Sequence, residues 1–247
     1  MRRFLSILAL SACALTMQPV VASADDGIED CHTTIVGSAM SPTDVVVGLV
    51  AKSSLFTVTL DNTCDNPVVE VNLAGAVVPV GLHVEMGAAV PHGSGVYTFV
   101  GTASWSAADL TDDDAAGDWI SYIDASSDNG PSVSGYGVSF NLLRAATVGM
   151  RSVPDSVKKG AVLNVSGSLT QADWATGRFA GYGGQRVELQ HKDVGGSYTT
   201  VRTSRSMSNG AVWNVVRADE DGCYRLVFHG NATTGAVTGA AECVVVG

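Results

Sequence analysis

The stretch "DLTDDDAAGDW", Asp109 to Trp119, sets Asp112, Asp114 and Asp118 close together, with Asp109 and Asp113 beside them. Carboxylate oxygens at such density are calcium ligands in extracellular proteins. The spacing does not suit an EF-hand loop. Counted from Asp112, position 5 is Ala116 and position 12 is Ile123, where that loop needs a glutamate. A looser calcium site stays open. Against it stands a solvated acidic turn that leads Trp119 into a core, and calcium is not expected to be required for folding. A second stretch, "DWATGRFAGYGGQRVELQHK", runs from Asp173 to Lys192 and carries Trp174, Phe179 and Tyr182 among several glycines. Flat rings suit sugar faces, and glycines let a backbone approach closely. The competing reading is structural, with Trp174 an anchor packed under its sandwich and Tyr182, between Gly181 and Gly183, the more exposed ring.

Catalytic patterns are missing. His32, His83, His92, His191 and His229 are scattered without an H-E-x-x-H, and no G-x-S-x-G elbow occurs. A carboxylate pair for glycoside hydrolysis meets only in space, so sequence does not exclude it. The expectation is a protein that is not an enzyme and needs no cofactor. The arginines of the second half, including Arg202, Arg205, Arg217 and Arg225, read as outward strand positions or as partners for acidic groups, the first half of the chain among them.

The chain begins with Arg2 and Arg3, an apolar run "FLSILALSACALTM", and a small-residue site at Ala22-Ser23-Ala24. Residues 1–24 therefore read as a secretory signal peptide. "LSAC" ending at Cys13 resembles a lipobox, so a lipid anchor at Cys13 is the alternative to a soluble secreted protein. No later apolar stretch is long enough for a membrane span. Four cysteines follow, Cys31, Cys64, Cys223 and Cys243. Outside the cell an even count reads as disulfides. Three pairings are possible. Two cysteines lie near each end, which favours Cys31–Cys64 and Cys223–Cys243. Zinc is the weaker alternative, since no close C-x-x-C pair occurs.

The elements that must carry these residues are strands. Helical periodicity is nearly absent, while short alternating or β-branched runs recur between turn residues: "LFTVTLD", "VVEVNLAG", "WISYID", "YGVSFNLL", "AVLNVSGSLT", "RVELQHK" and "CYRLVFHG" among them. In the strand after Gln185, Val187 and Leu189 should point inward. Six or seven short strands per hundred residues predict an all-β chain of two tandem antiparallel Ig-like β-sandwiches. Charge marks the join. Residues 25–147 hold sixteen Asp/Glu against Lys52 and Arg144, a net −14, whereas residues 148–247 hold eight acids and ten bases. The domains are set at 25–147, acidic, and 148–247. An acidic chain of this kind is a poor candidate for nucleic acid or an anionic membrane.

Residues 150–247 resemble a module of secreted actinobacterial proteins. The resemblance rests on P-x-x-V-x-x-G at Pro154, V-S-G-x-L at Val165, W-x-x-G-x-F-A-G-Y-x-G-Q at Trp174, and D-G-C-Y-R-L at Asp221. It implies an Ig-like β-sandwich and no established activity. The first half is similar, more loosely, to the acidic β-domain that often precedes that module, through "DLTDDDAAGDW". Together these readings lead to a secreted, non-catalytic Ig-like protein with an extracellular or cell-surface binding or structural role, its partner an extracellular protein or a glycan. The alternative is a carbohydrate-binding or enzyme-accessory protein that uses the Trp174–Tyr182 loop.

Overall fold

The computed structural model describes residues 31–75 and 81–247. The expected signal peptide and cleavage site, and Cys13, lie outside the described residues. The chain folds as two tandem Ig-like β-sandwiches. In the first, β1 (Thr33–Ser41), β2 (Asp44–Val47), β3 (Lys52–Asn62), β4 (Val68–Gly75), β5 (Gly81–Val84), β6 (Val90–Pro91) and β7 (Val96–Trp105) precede a helical turn, α1 (Ala107–Leu110), and a 3-10 turn at Asp113–Ala115. β8 (Gly117–Ser126) and β9 (Val133–Arg144) complete it. One sheet runs β1-β3-β7-β6, the other β2-β9-β8-β4-β5. The second sandwich holds β10 (Ala146–Ser152), β11 (Ser156–Val157), β12 (Ala161–Asp173), β13 (Arg178–Gly181), β14 (Arg186–Asp193), β15 (Thr199–Arg205), β16 (Ala211–Ala218), β17 (Gly222–Phe228), β18 (Val237–Thr238) and β19 (Glu242–Val246). Its sheets are β10-β12-β13 with β16 also on β12, and β11-β19-β17-β14-β15 with β18 on β17.

Alternation explains the layers. Along β3 the side chains of Ser54, Phe56, Val58, Leu60 and Asn62 are buried, and the residues between them face outward or lie half-buried. β4 buries Val69, Val71 and Leu73, and β8 buries Trp119, Ser121, Ile123 and Ala125. A period of two with one apolar face is what a strand needs to sit over a core while its other face meets water. Val187 and Leu189 are fully buried in β14, as the sequence pattern requires. The disulfides are Cys31–Cys64 and Cys223–Cys243.

The sheets are not purely antiparallel. β2 pairs in parallel with β9, and β11 in parallel with β19. The cause is the same in both halves. The entering chain pairs with one sheet, β1 on β3 and β10 on β12, then crosses to the other sheet as a short segment beside its last long strand. Among strands longer than two residues, three carry no clear alternating signal and go unmarked in the sequence: β1, with its run of small and polar residues; β10, in the stretch read as the join; and β13, inside the aromatic loop.

Buried side chains form two clusters, one per sandwich. The first does not stop at residue 147. It takes in Ala172 and Trp174 from the end of β12. The two cores therefore meet at a shared joint.

Candidate functional site

Two of the residues singled out by sequence, Trp174 and Asp113, meet at that joint. β12 runs on past the edge of its own sandwich and delivers Trp174 to the first one. Trp174 is 2% exposed, and its indole N–H donates to the Val47 carbonyl at 3.2 Å. Its backbone N–H donates to Asp113 Oδ1 at 2.7 Å. Asp113 Oδ2 meets the Arg144 guanidinium at 2.8 Å, and Arg144 Nε donates to the Ala172 carbonyl at 2.6 Å. Arg144 also exchanges backbone bonds with the second sandwich, its N–H to the Thr233 carbonyl and its carbonyl to the Gly235 N–H. One carboxylate and one guanidinium thus tie together three segments that are remote in sequence, and the Arg144 backbone adds a fourth at Thr233–Gly235. Both are partly buried, where charge-assisted bonds weaken less in salt than exposed ones.

Trp174 is an anchor, but not under its own sandwich. Its ring completes the first core. Tyr182 is not the exposed ring. It is half-buried, stacked edge-on against Phe228 at 5.8 Å, and its hydroxyl accepts from Asn231 Nδ2 at 2.7 Å. The flanking glycines do not loosen it; they let backbones touch. A Cβ on Gly181 would run into the Asn209 carbonyl, and one on Gly183 would come 2.7 Å from Ser208 Cα. Phe179 alone keeps an open ring, at 39% exposure, beside Gly48 of the first sandwich. The loop therefore sets out one ring rather than a platform of three.

The acidic turn divides its carboxylates. Asp112 accepts from the Asp114 N–H at 2.9 Å and caps the 3-10 turn, Asp113 serves the joint, and Asp118 points outward from β8. Among the described residues no group of three or more His, Cys, Asp or Glu side chains is gathered for a metal ion. Asp173, next to the joint, has its pKa lowered, mainly by the Thr176 backbone N–H and hydroxyl, with Arg144 adding a smaller pull.

The nearest approach to an acid–base cluster is a cleft of about 200 Å³ lined by His191, Asp193, Asp219, Glu220 and Tyr224. His191 Nδ1 lies 3.5 Å from Asp193, and its ring stacks on Tyr224 at 4.5 Å. Nε2 is buried with no partner and pressed against Gly222, where a Cβ would collide with it. It faces backbone, so it has no path to a substrate. Burial, with Asp219 and Asp193 nearby, raises the Tyr224 phenol pKa and keeps it neutral. The other histidines make ordinary surface pairs: His229 with Glu188 at 3.0 Å, His32 with Asp61 at 3.4 Å and with the Thr63 hydroxyl at 3.2 Å, His83 with Asn72 and His92 with Thr98.

Sequence reasoning missed Arg144 as a joint residue. A signal existed: it is one of only two bases in an acidic stretch, and it stands at the boundary. It also missed Tyr122 and Tyr136 on the first sandwich, which no local pattern connects.

No family model matches the chain, and no curated protein matches it. Solved structures similar to it include the D0-D1 domain of intimin, at 12% identity over 85% of this chain and 98% of that one, TM-score 0.29. Murine CEACAM1b is similar at 12% identity over 85% and 98%, TM-score 0.34. An amphioxus IgVJ-C2 molecule is similar at 12% over 82% and 99%, TM-score 0.27. Similarities this low carry no argument about function, and the fold stands on the strand pairing itself. Among the described residues no helix is long and apolar enough to cross a membrane.

Proposed function

We propose that this chain is a secreted, non-catalytic Ig-like protein, divided near residue 147, that acts outside the cell as a binding or structural unit of two sandwiches held at a fixed angle. The observation that carries the reading is the joint: the loop richest in aromatic residues is spent on coupling the sandwiches, through Trp174 and the Asp113–Arg144 pair. A mobile linker would leave those groups to solvent. The two disulfides suit an oxidising compartment, as does the resemblance of residues 150–247 to a secreted actinobacterial module. The partner class is an extracellular protein or a glycan, and a glycan-binding role does not need the Trp174–Tyr182 loop.

The test is to incubate the purified secreted chain with envelope and wall fractions of its producer. Retention on a fraction without release of sugars or peptides supports the reading. Catalytic release of fragments by the pure protein overturns it.

A further inference from the structure

The outer face of the β2-β9-β8-β4-β5 sheet carries an arrangement that the joint does not use. Register places His83, Asn72, Tyr122 and Tyr136 side by side in one row across β5, β4, β8 and β9. At strand spacing that row is about 14 Å long. The two tyrosines stand edge to face at 5.7 Å and stay open, Tyr136 at 74% exposure and Tyr122 at 37%. On one side of the row lie two carboxylates, Glu70 and Asp124, directly paired across β4 and β8. On the other side the surface drops into a depression of about 420 Å³, lined by Asp118, Ile120, Ser139 and Asn141 together with Trp119 and Phe140. Asn141 is held there by Asp44 at 2.9 Å.

Two adjacent exposed rings beside a depression present a ready contact surface, and tyrosine offers both a flat apolar face and a hydroxyl. The charge of this face selects the occupant. Its strands contain Asp44, Glu70, Asp118 and Asp124, and the only Lys or Arg among them is Arg144, which is engaged at the joint. A polyanion is repelled. A sugar chain bearing free amines is matched twice, its ring faces by the tyrosines and its ammonium groups by the carboxylates and the tyrosine π-faces.

We infer that the Tyr122–Tyr136 face is a binding site for an amine-bearing polysaccharide of the glucosamine type. This rests on the extracellular binding role proposed above and names its ligand.

The test is calorimetry of the secreted chain with a soluble oligomer of glucosamine, its N-acetylated counterpart and a polyuronate. Tyr136→Ala keeps the net charge and removes an exposed ring, so simple attraction of an acidic protein to a polycation is not altered by it. The expected result is binding to the glucosamine oligomer that falls about tenfold in Tyr136→Ala and by a smaller factor in Asp124→Asn, with circular dichroism unchanged. No binding, equal binding of the N-acetylated oligomer or the polyuronate, or binding indifferent to Tyr136→Ala overturns the site. Retention on envelope fractions that persists unchanged in Tyr136→Ala also overturns it, while leaving the broader extracellular role standing.

Discussion

Two aromatic regions of this protein have opposite fates. The loop from Asp173 to Gly184 gathers three rings within nine residues and hides two of them: Trp174 in the neighbouring sandwich's core, Tyr182 against Phe228. The β8–β9 face brings together Tyr122 and Tyr136, fourteen positions apart, and leaves both in water. Crowding along the chain places rings where a loop must be pinned. Exposure depends on which side of a pleat a residue falls. The loop is thus a fastening and the sheet face a surface.

The sharpest way to break that contrast is Trp174→Ala. Removing a buried aromatic should cost about 3–5 kcal/mol in denaturant unfolding. The loss should be felt in the first sandwich, where hydrogen exchange in β2 should accelerate, because the indole N–H holds the Val47 carbonyl. Tyr136→Ala should change stability by no more than about 0.5 kcal/mol, as an exposed position does. Equal costs for the two would erase the distinction.

Next in size is the Asp113–Arg144 clamp. Each single substitution, Asp113→Asn or Arg144→Met, should destabilise by about 1–3 kcal/mol, between the values for exposed and buried pairs. A double-mutant cycle should show the pair coupled, since both residues act through the same bond. Additive losses would reduce the clamp to a surface ion pair.

Tyr182→Phe sharpens the loop's side of the comparison. It keeps the ring on Phe228 and removes the hydroxyl that Asn231 reaches, so it should cost about 1 kcal/mol by thermal or chemical unfolding. No cost would mean that the hydroxyl is served by water instead.

The smallest effect is expected from acid. Glu188 has its pKa lowered, first by the His229 bond and then by the Thr200 hydroxyl, and Asp173 by Thr176. A depressed carboxylate contributes stability that is present above its unfolded pKa and is lost as pH falls through the folded one. Melting curves from neutral pH to below the carboxylate range should show Glu188→Gln less stable than the parent at neutral pH, with the gap closing on acidification. A gap that stays constant would refute the linkage.

Much of the scaffold was readable along the chain. Val187 and Leu189 alternate inward on β14 as their period requires, and the cysteines pair with their nearer partners. β1 and β10 escaped notice because "TTIVGSAMS" and "ATVGMRS" mix small and polar residues without a clear apolar face. Of the candidate site, the importance of Trp174 was legible but its destination was not. Its ring seeks burial wherever a gap exists, and that gap is made by Val47 and its neighbours, more than a hundred residues earlier. Asp112, Asp114 and Asp118 look like one group in sequence, yet the 3-10 turn and the start of β8 send them in different directions.

Composition, period and cysteine placement by themselves determined an all-β chain, an acidic half followed by a nearly balanced one, and covalent ties close to each end. Those properties depend on neighbours within a few residues, on counts or, for the ties, on which cysteines lie nearer each other along the chain. Only the tertiary structure decided that Arg144 would clamp Asp113 to Ala172, that Trp174 would leave its own sandwich, and that Tyr122 would stand beside Tyr136. These depend on strand register and on where two sandwiches meet. A shift of one residue in register turns every side chain of a strand to the opposite face, and nothing within the strand itself reports which partner will set it.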